Sequence, residues 1–164
     1  MFDAMFPDRL TWQYLPADNG VEILDDPGFD APPAWVRALT AVARDLRFLR
    51  HGRDVRVDRL VWELSITEDY TVLVGWQKSG GIGGFGIGGN LSMDAAFPEA
   101  AVWTADVVQT ELAGYEFVQW PSRGRHLLTP KVVDGAPAWA DPHTGDVVAP
   151  IGGLDTGITD LPRT

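Results

Sequence analysis

The sequence predicts an α+β fold, in which a mostly antiparallel sheet built from hairpins carries two packed helices in a single layered domain. Short runs of alternating apolar and polar residues follow one another in pairs, with turn residues between them, as antiparallel hairpins require. Two longer segments show the apolar spacing of a core-facing helix. The 164 residues, 45% of them hydrophobic, suit one domain with a sizeable core. We expect that domain to cover 1–154 and to be followed by a flexible tail over 155–164.

The first predicted elements are strands over 11–15 and 21–24, separated by the turn sequence Asp18-Asn19-Gly20. A helix over about 33–51 follows, with Asp30 placed to cap its start and Gly52 placed to end it. Prolines in its first turn are tolerated, because an N–H there has no intrahelical acceptor. Its core-facing stripe consists of Trp35, Leu39, Val42, Leu46 and Leu49.

The opposite side of this helix is a candidate contact surface. It carries Arg37, Arg44, Arg47 and His51, with Phe48 among them. Solvated helix faces usually mix both signs of charge, so a single-signed face with an aromatic residue points to an acidic partner surface. The alternative is that these arginines pair with the acidic remainder of the same domain.

A second hairpin joins strands over 60–66 and 70–76, because apolar and polar residues alternate cleanly in both. Residues 80–89 follow it, and seven of these ten residues are glycine. Dense glycine is costly unless the backbone bends sharply or approaches another group closely. We therefore expect a flap or a closely packed strand, with a ligand-gripping loop as the alternative.

Nucleotide-binding signatures do not account for this glycine-rich segment. The pattern G-x-G-x-x-G occurs in two overlapping registers, but the next predicted helix begins near Pro98, well beyond the last glycine. A P-loop is excluded because Lys78 precedes the glycines and does not follow them. If a ligand binds here, the candidate residues are Trp62, Trp76, Gly81, Gly83, Phe85 and Gly86, which offer aromatic stacking and backbone amides.

The remaining elements are a helix over about 98–113, capped by Gly114, and a strand over 115–120. The helix has the apolar stripe Ala101, Ala105, Val108 and Leu112. Short strands near 127–128, 131–133, 136–140 and 147–149 follow, with turns at Asp134-Gly135 and over 141–146. The seven tryptophans are spread along the whole chain, and we expect them mainly to fill the core.

Charge is distributed unevenly. The formal net charge is −10, yet residues 37–59 hold seven arginines and three aspartates, a local charge of +4 that leaves −14 for the rest. The overall sign argues against nucleic acid as a partner and suits attraction to a basic protein. No apolar run is long enough to span a bilayer, no signal peptide is evident and cysteine is absent, so we expect a cytoplasmic protein without membrane contact. Arginine outnumbers lysine 11 to 2, a composition typical of GC-rich bacterial genomes.

Catalytic motifs are missing from the sequence. There is no G-x-S-x-G elbow, the three histidines show no metal-ligand spacing, and Glu63 reads as a charge on the outer face of a strand. We expect no metal, no cofactor and no enzymatic activity. The predicted function is that of a binding or regulatory protein, similar in class to immunity or adaptor proteins, which recognises a protein partner through its acidic surface. A small-molecule binder or enzyme, with its site between segment 80–89 and the 60–76 hairpin, is the alternative. A structural subunit and a homo-oligomer remain open.

Overall fold

The computed structural model describes residues 9–17, 20–47, 60–78, 84–115, 119–123 and 126–154. Within these ranges two helices pack with antiparallel sheets, which confirms the predicted α+β class. The first elements are β1 (Leu10–Ala17), β2 (Gly20–Asp25), α1 (Pro33–Leu46), β3 (Trp62–Ile66), β4 (Thr71–Trp76) and β5 (Phe85–Ser92). They are followed by α2 (Phe97–Tyr115), β6 (Ser122–Arg123), β7 (His126–Leu127), β8 (Thr129–Val133), β9 (Ala136–Ala140) and β10 (Val147–Pro150).

The larger sheet has five strands in the order β2-β1-β3-β4-β5, and each neighbouring pair is antiparallel. The predicted β3–β4 hairpin is confirmed, with Leu64 opposite Val74 and Trp62 opposite Trp76. Since side chains alternate between faces along a strand, this register brings four apolar residues onto one buried face. A second sheet, in the order β10-β9-β8, packs against α2.

The core lies between the five-stranded sheet and the two helices. Six of the seven tryptophans are no more than 2% exposed, so the prediction that they mainly fill the core is confirmed. The predicted stripe of α2 is buried throughout, and so is that of α1 as far as Leu46, while Leu49 lies outside the described residues. Within the part of the chain that the structure describes, no helix combines the length and apolarity needed to cross a bilayer.

The boundaries of α1 differ from the prediction. Pro32 occupies the N-cap position, and no side chain caps the helix, so Asp30 does not have the predicted role. Instead the carbonyl of Pro32 accepts hydrogen bonds from the backbone N–H groups of Trp35 and Val36. The helix ends at Leu46, with Arg47 at the C-cap, five residues before the predicted end. Gly52, predicted to end it, lies outside the described residues.

Helix α2 runs beyond its predicted end. Gly114 lies inside the helix and does not cap it, because a single glycine weakens a helix by only about 1 kcal/mol and does not have to stop it. The predicted strand over 115–120 is wrong where it can be compared. Tyr115 belongs to α2, and Gln119 and Trp120 are not in a strand.

The C-terminal turns form as predicted. Asp134 and Gly135 have φ angles of 52° and 80°, the left-handed conformations that a tight hairpin turn between β8 and β9 needs. In the 141–146 turn, Gly145 donates its backbone N–H to the carbonyl of Asp141 over 2.7 Å. The glycine-rich segment is a strand from Phe85 onward, where β5 begins, and Gly84 precedes that strand. Residues 79–83 and the predicted tail over 155–164 lie outside the described residues.

Candidate functional site

A groove of about 790 Å³, here called the acidic groove, lies where the β3–β4 turn faces the loop before α1. Strand β1 and the start of the segment after β5 complete its walls. The apolar lining residues are Leu10, Trp12, Phe29, Ala31, Pro32, Pro33, Ile66 and Met93. The remaining lining residues are Asp30, Thr67, Glu68, Tyr70 and Asp94. Both walls carry an aromatic ring, and both carry carboxylates.

The Phe29 wall is fixed by Trp12. The indole Nε1 of Trp12 donates to the backbone carbonyl of Phe29 over 2.8 Å, and the two rings meet edge to face with centroids 5.7 Å apart. Trp12 is buried in the core, whereas Phe29 is 55% exposed. The buried Trp12 side chain therefore positions the exposed Phe29 at the groove.

Tyr70 forms the facing wall at the tip of the β3–β4 turn. Its φ of 65° is left-handed, which is unfavourable for a bulky residue without compensating contacts. Two backbone hydrogen bonds of 3.0 Å hold it there, from its own N–H to the carbonyl of Thr67 and from the N–H of Met93 to its carbonyl. The ring is 63% exposed. Strained residues of this kind cluster at binding and catalytic sites.

Negative charge surrounds the groove. Its lining includes the carboxylates of Asp30, Glu68 and Asp94, and no basic side chain from the described ranges lines it. Two residues along β1 from Trp12, burial raises the pKa of Tyr14 to about 12, and the negative charges of Asp30 and Asp26 act in the same direction. Asp69 adjoins the rim, and hydrogen bonds from the hydroxyls of Thr67 and Thr71 lower the pKa of its carboxyl group. The described lining of the groove is therefore acidic.

A second groove of about 410 Å³, here called the basic groove, lies between α1 and the chain after β10. It is lined by Val36, Arg37, Thr40, Ala41, Arg44, Phe97, Pro150, Ile151, Gly152 and Gly153. The guanidinium carbon of Arg37 lies 4.0 Å from the ring centroid of Phe97, a cation–π contact. Among the described residues, none lines both the basic groove and the acidic groove.

The predicted partner surface on α1 is only partly gathered by the fold. Arg37 and Arg44 both line the basic groove. Arg47 is not among the residues that line it, and donates from Nη2 to the carbonyl of Ala17 over 3.2 Å. Phe48 and His51 lie outside the described residues.

A buried carboxylate fixes the chain that forms the far wall of the basic groove. Asp45 accepts hydrogen bonds from Trp139 Nε1 at 2.7 Å, the backbone N–H of Gly152 at 2.6 Å and that of Leu154 at 3.0 Å. Burial raises the pKa of Asp45 to about 6, although these three donors and the charge of Arg44 act to lower it. The Asp45 carboxylate thus ties α1 to β9 and to the segment after β10.

The residues predicted for a ligand site near the glycine-rich segment differ in burial, and the structure does not gather them around either groove. Trp62 and Trp76 are each 1% exposed and meet edge to face at 5.0 Å, and Phe85 packs on Trp76 at 4.7 Å. These three rings line neither described groove. Gly86 is exposed, and Gly81 and Gly83 lie outside the described residues.

Other polar groups predicted from the sequence have local partners. Glu63 lies on the sheet face away from the core and accepts hydrogen bonds from the amides of Gln13, at 2.9 Å, and Gln77, at 3.1 Å. The rings of His126 and His143 meet at 4.1 Å, with His126 Nδ1 3.9 Å from Asp141 Oδ1. Even so, no group of three or more histidines or carboxylates in the described ranges is arranged to hold a metal ion.

The sequence patterns do not predict the acidic groove. A signal was present, because Asp25-Asp26 precedes Phe29-Asp30 in one loop and Glu68-Asp69 precedes Tyr70 in another. Each loop combines acidic residues with one aromatic residue, a composition suited to an exposed anchor beside charge. What the sequence does not show is that the two loops face each other. No protein family model, no curated protein and no solved structure matches the chain.

Proposed function

We propose that this protein is a binding or regulatory protein that recognises a basic protein partner through the acidic groove, in the manner of an immunity or adaptor protein. The observation that carries the proposal is the pairing of exposed aromatic rings with an anionic rim in one concave site. Phe29 and Tyr70 supply apolar anchors, and Asp30, Glu68 and Asp94 supply charge. Aromatic anchors at the centre with charged residues around them are typical of protein interfaces.

Charge favours a basic partner over other kinds. Among the residues that the structure describes, no lysine, arginine or histidine lines the acidic groove. A cationic side chain of a partner would meet three carboxylates while its apolar neighbours cover Phe29 and Tyr70. The formal net charge of −10 adds long-range attraction, which increases the association rate for a basic partner.

Rigidity supports the same function. The backbone at both anchors is fixed by hydrogen bonds: Trp12 Nε1 donates to the carbonyl of Phe29, and Tyr70 bonds to Thr67 and Met93. A site that is already ordered loses less conformational entropy on binding, so more of the contact energy appears as affinity. The strained backbone of Tyr70 is consistent with a position kept for binding.

The test compares captures from the native cell extract by three immobilised proteins. They are the wild type, the groove variant Asp30→Asn/Glu68→Gln/Asp94→Asn, and the control variant Glu22→Gln/Asp106→Asn/Asp134→Asn. Both variants remove three carboxylates, but the control positions are exposed and lie outside the groove. Captures are made at about 50 mM and about 500 mM salt, because screening weakens contacts between exposed charges.

The expected result is a basic protein retained at low salt by the wild type and the control variant but not by the groove variant. A second variant, Tyr70→Asn, should also lose it, because the ring is removed while asparagine still accepts the left-handed backbone. Retention of the same proteins by the groove variant would contradict the proposal. So would the absence of any protein bound to the wild type at low salt.

A further inference from the structure

The guanidinium group of Arg37 packs on an aromatic ring and has no ion-pair partner among the described residues. It stacks 4.0 Å above the Phe97 ring at the basic groove. Stacking occupies the flat face of a guanidinium group and leaves its N–H donors in the plane free to point outward. Among the described residues, none accepts a hydrogen bond from Arg37 or forms an ion pair with it. A cation packed on an aromatic ring at the wall of a cavity is suited to bind an oxyanion.

Arg44 adds a second positive charge to the same cavity. It lies seven residues after Arg37, almost two helical turns, and therefore on the same side of α1. The charge of Arg44 helps to lower the pKa of Asp45, and the negative charge of that carboxylate partly offsets the positive potential of Arg44. The cavity between the two arginines therefore has a net positive field that is weaker than two free guanidinium groups would give.

The rest of the basic groove is apolar. Val36, Ala41 and Ile151 line it together with the Phe97 ring. The cavity volume of about 410 Å³ is in the lower part of the range found for small-molecule sites. A ligand that fits this lining has an anionic group at one end and an apolar body at the other.

We propose that the basic groove is a binding site for a small organic carboxylate, whose anionic group meets Arg37 and Arg44 and whose apolar part packs on Val36 and Ile151. Arginine binds a carboxylate through two parallel N–H···O bonds, which fixes its orientation as well as its position. A doubly charged phosphate fits less well, because the buried carboxylate of Asp45 lies beside Arg44 and repels a dianion more strongly than a monoanion. This site is independent of the acidic groove and of the function proposed for it.

The test is an NMR titration of the backbone amides of Ile151, Gly152 and Gly153, which line the basic groove. The probe is 3-phenylpropanoate, with 3-phenylpropan-1-ol as the uncharged counterpart and inorganic phosphate as the dianion. We expect saturable shifts with the carboxylate below about 10 mM and weaker binding of the other two compounds. Arg37→Gln should weaken carboxylate binding about tenfold, because a charge-assisted contact is lost.

Two further variants make the outcome decisive. Lys131→Gln removes one positive charge from an exposed position on β8 and should leave the titration unchanged. Arg37→Lys keeps the charge but not the planar group, and should bind with intermediate affinity. The proposal is overturned if the alcohol or phosphate binds as tightly as the carboxylate, if Arg37→Gln leaves the affinity unchanged, or if no saturable shift appears with the carboxylate. Arg37 is exposed, so its variants should remain folded, which circular dichroism checks.

Discussion

Trp139 donates its indole N–H to Oδ2 of Asp45 over 2.7 Å, across 94 residues of chain. Both side chains are fully buried, and the same carboxylate also accepts the N–H groups of Gly152 and Leu154. One aspartate thus connects the first helix with the second sheet and with the segment that follows it. Burying a carboxylate costs desolvation free energy, and the three hydrogen bonds offset that cost. The loss of any one donor therefore leaves part of the cost uncompensated and lowers the stability of the fold.

Trp139→Phe should therefore destabilise the protein in two ways, through the smaller ring and through the lost hydrogen bond to Asp45. Trp120→Phe is the matched control, since Trp120 is equally buried, packs on Trp139 at 5.4 Å, and has an indole nitrogen without a hydrogen-bond partner in the described structure. We expect the free energy of unfolding to be lower for Trp139→Phe than for Trp120→Phe by about 1 to 2 kcal/mol, measured by urea denaturation at neutral pH. Equal losses in the two variants would show that the bond to Asp45 adds nothing.

Asp45 should also make stability depend on pH. Its pKa in the folded protein is about 6, against about 3.9 for an unfolded aspartate, because burial disfavours the charged form. The folded state therefore binds the proton more tightly. The stabilisation from this group is complete below about pH 4 and is lost as the pH rises through about 6.

The measurement compares wild type with Asp45→Asn, which has no proton to titrate at this position. The wild type should be the more stable protein at about pH 4, and its advantage should shrink by about 2 kcal/mol by about pH 7. Taking the difference removes the contributions of Asp69 and Asp141, whose pKa values are lowered by hydrogen bonds and which act in the opposite direction. A difference that stays constant with pH would mean that Asp45 titrates normally.

Gly75 should be essential for the pairing of β4 with β5, whereas Gly86 directly opposite should not be. A Cβ on Gly75 would collide with the backbone carbonyl of Phe85, but a Cβ on Gly86 meets no atom within 4 Å. We expect Gly75→Ala to lower the free energy of unfolding by more than about 2 kcal/mol, and Gly86→Ala to change it by less than about 1 kcal/mol. Thermal unfolding provides the comparison, and similar melting temperatures for the two variants would contradict the close approach.

The elements that the sequence predicts well are those in which neighbouring residues decide the structure. The β3–β4 hairpin follows from strict alternation, since a shift by one residue would turn Trp62 and Leu64 to the other face of the sheet. The Asp134-Gly135 turn follows from two residues that accept positive φ. In contrast, α1 begins at Pro33 with Pro32 as its N-cap, although Asp30 is the better capping residue, and the carbonyl of Pro32 accepts the first N–H groups.

The two grooves could not be predicted, because each joins residues from distant segments. Phe29 faces Tyr70 across the acidic groove only because β1 pairs with β3, and Arg37 meets Phe97 only because α1 packs on α2. The sequence marks the arginines of α1 only by their common sign and by Phe48 among them. The aromatic surface that orients Arg37 and the buried carboxylate beside Arg44 depend on tertiary packing, which a sequence pattern does not contain.

Tyr70 allows the binding role of a side chain to be separated from its backbone role. Its φ of 65° suits asparagine, which adopts the left-handed region readily, but is a severe outlier for a β-branched residue. Tyr70→Asn should leave the free energy of unfolding within about 0.5 kcal/mol of the wild type, because the ring is largely exposed and little packing is lost. Tyr70→Val should lower it by about 1 to 2 kcal/mol. Urea denaturation of both variants measures the difference. If valine were tolerated as well as asparagine, the backbone at this turn would be relaxed, and the strain that links Tyr70 to binding would be absent.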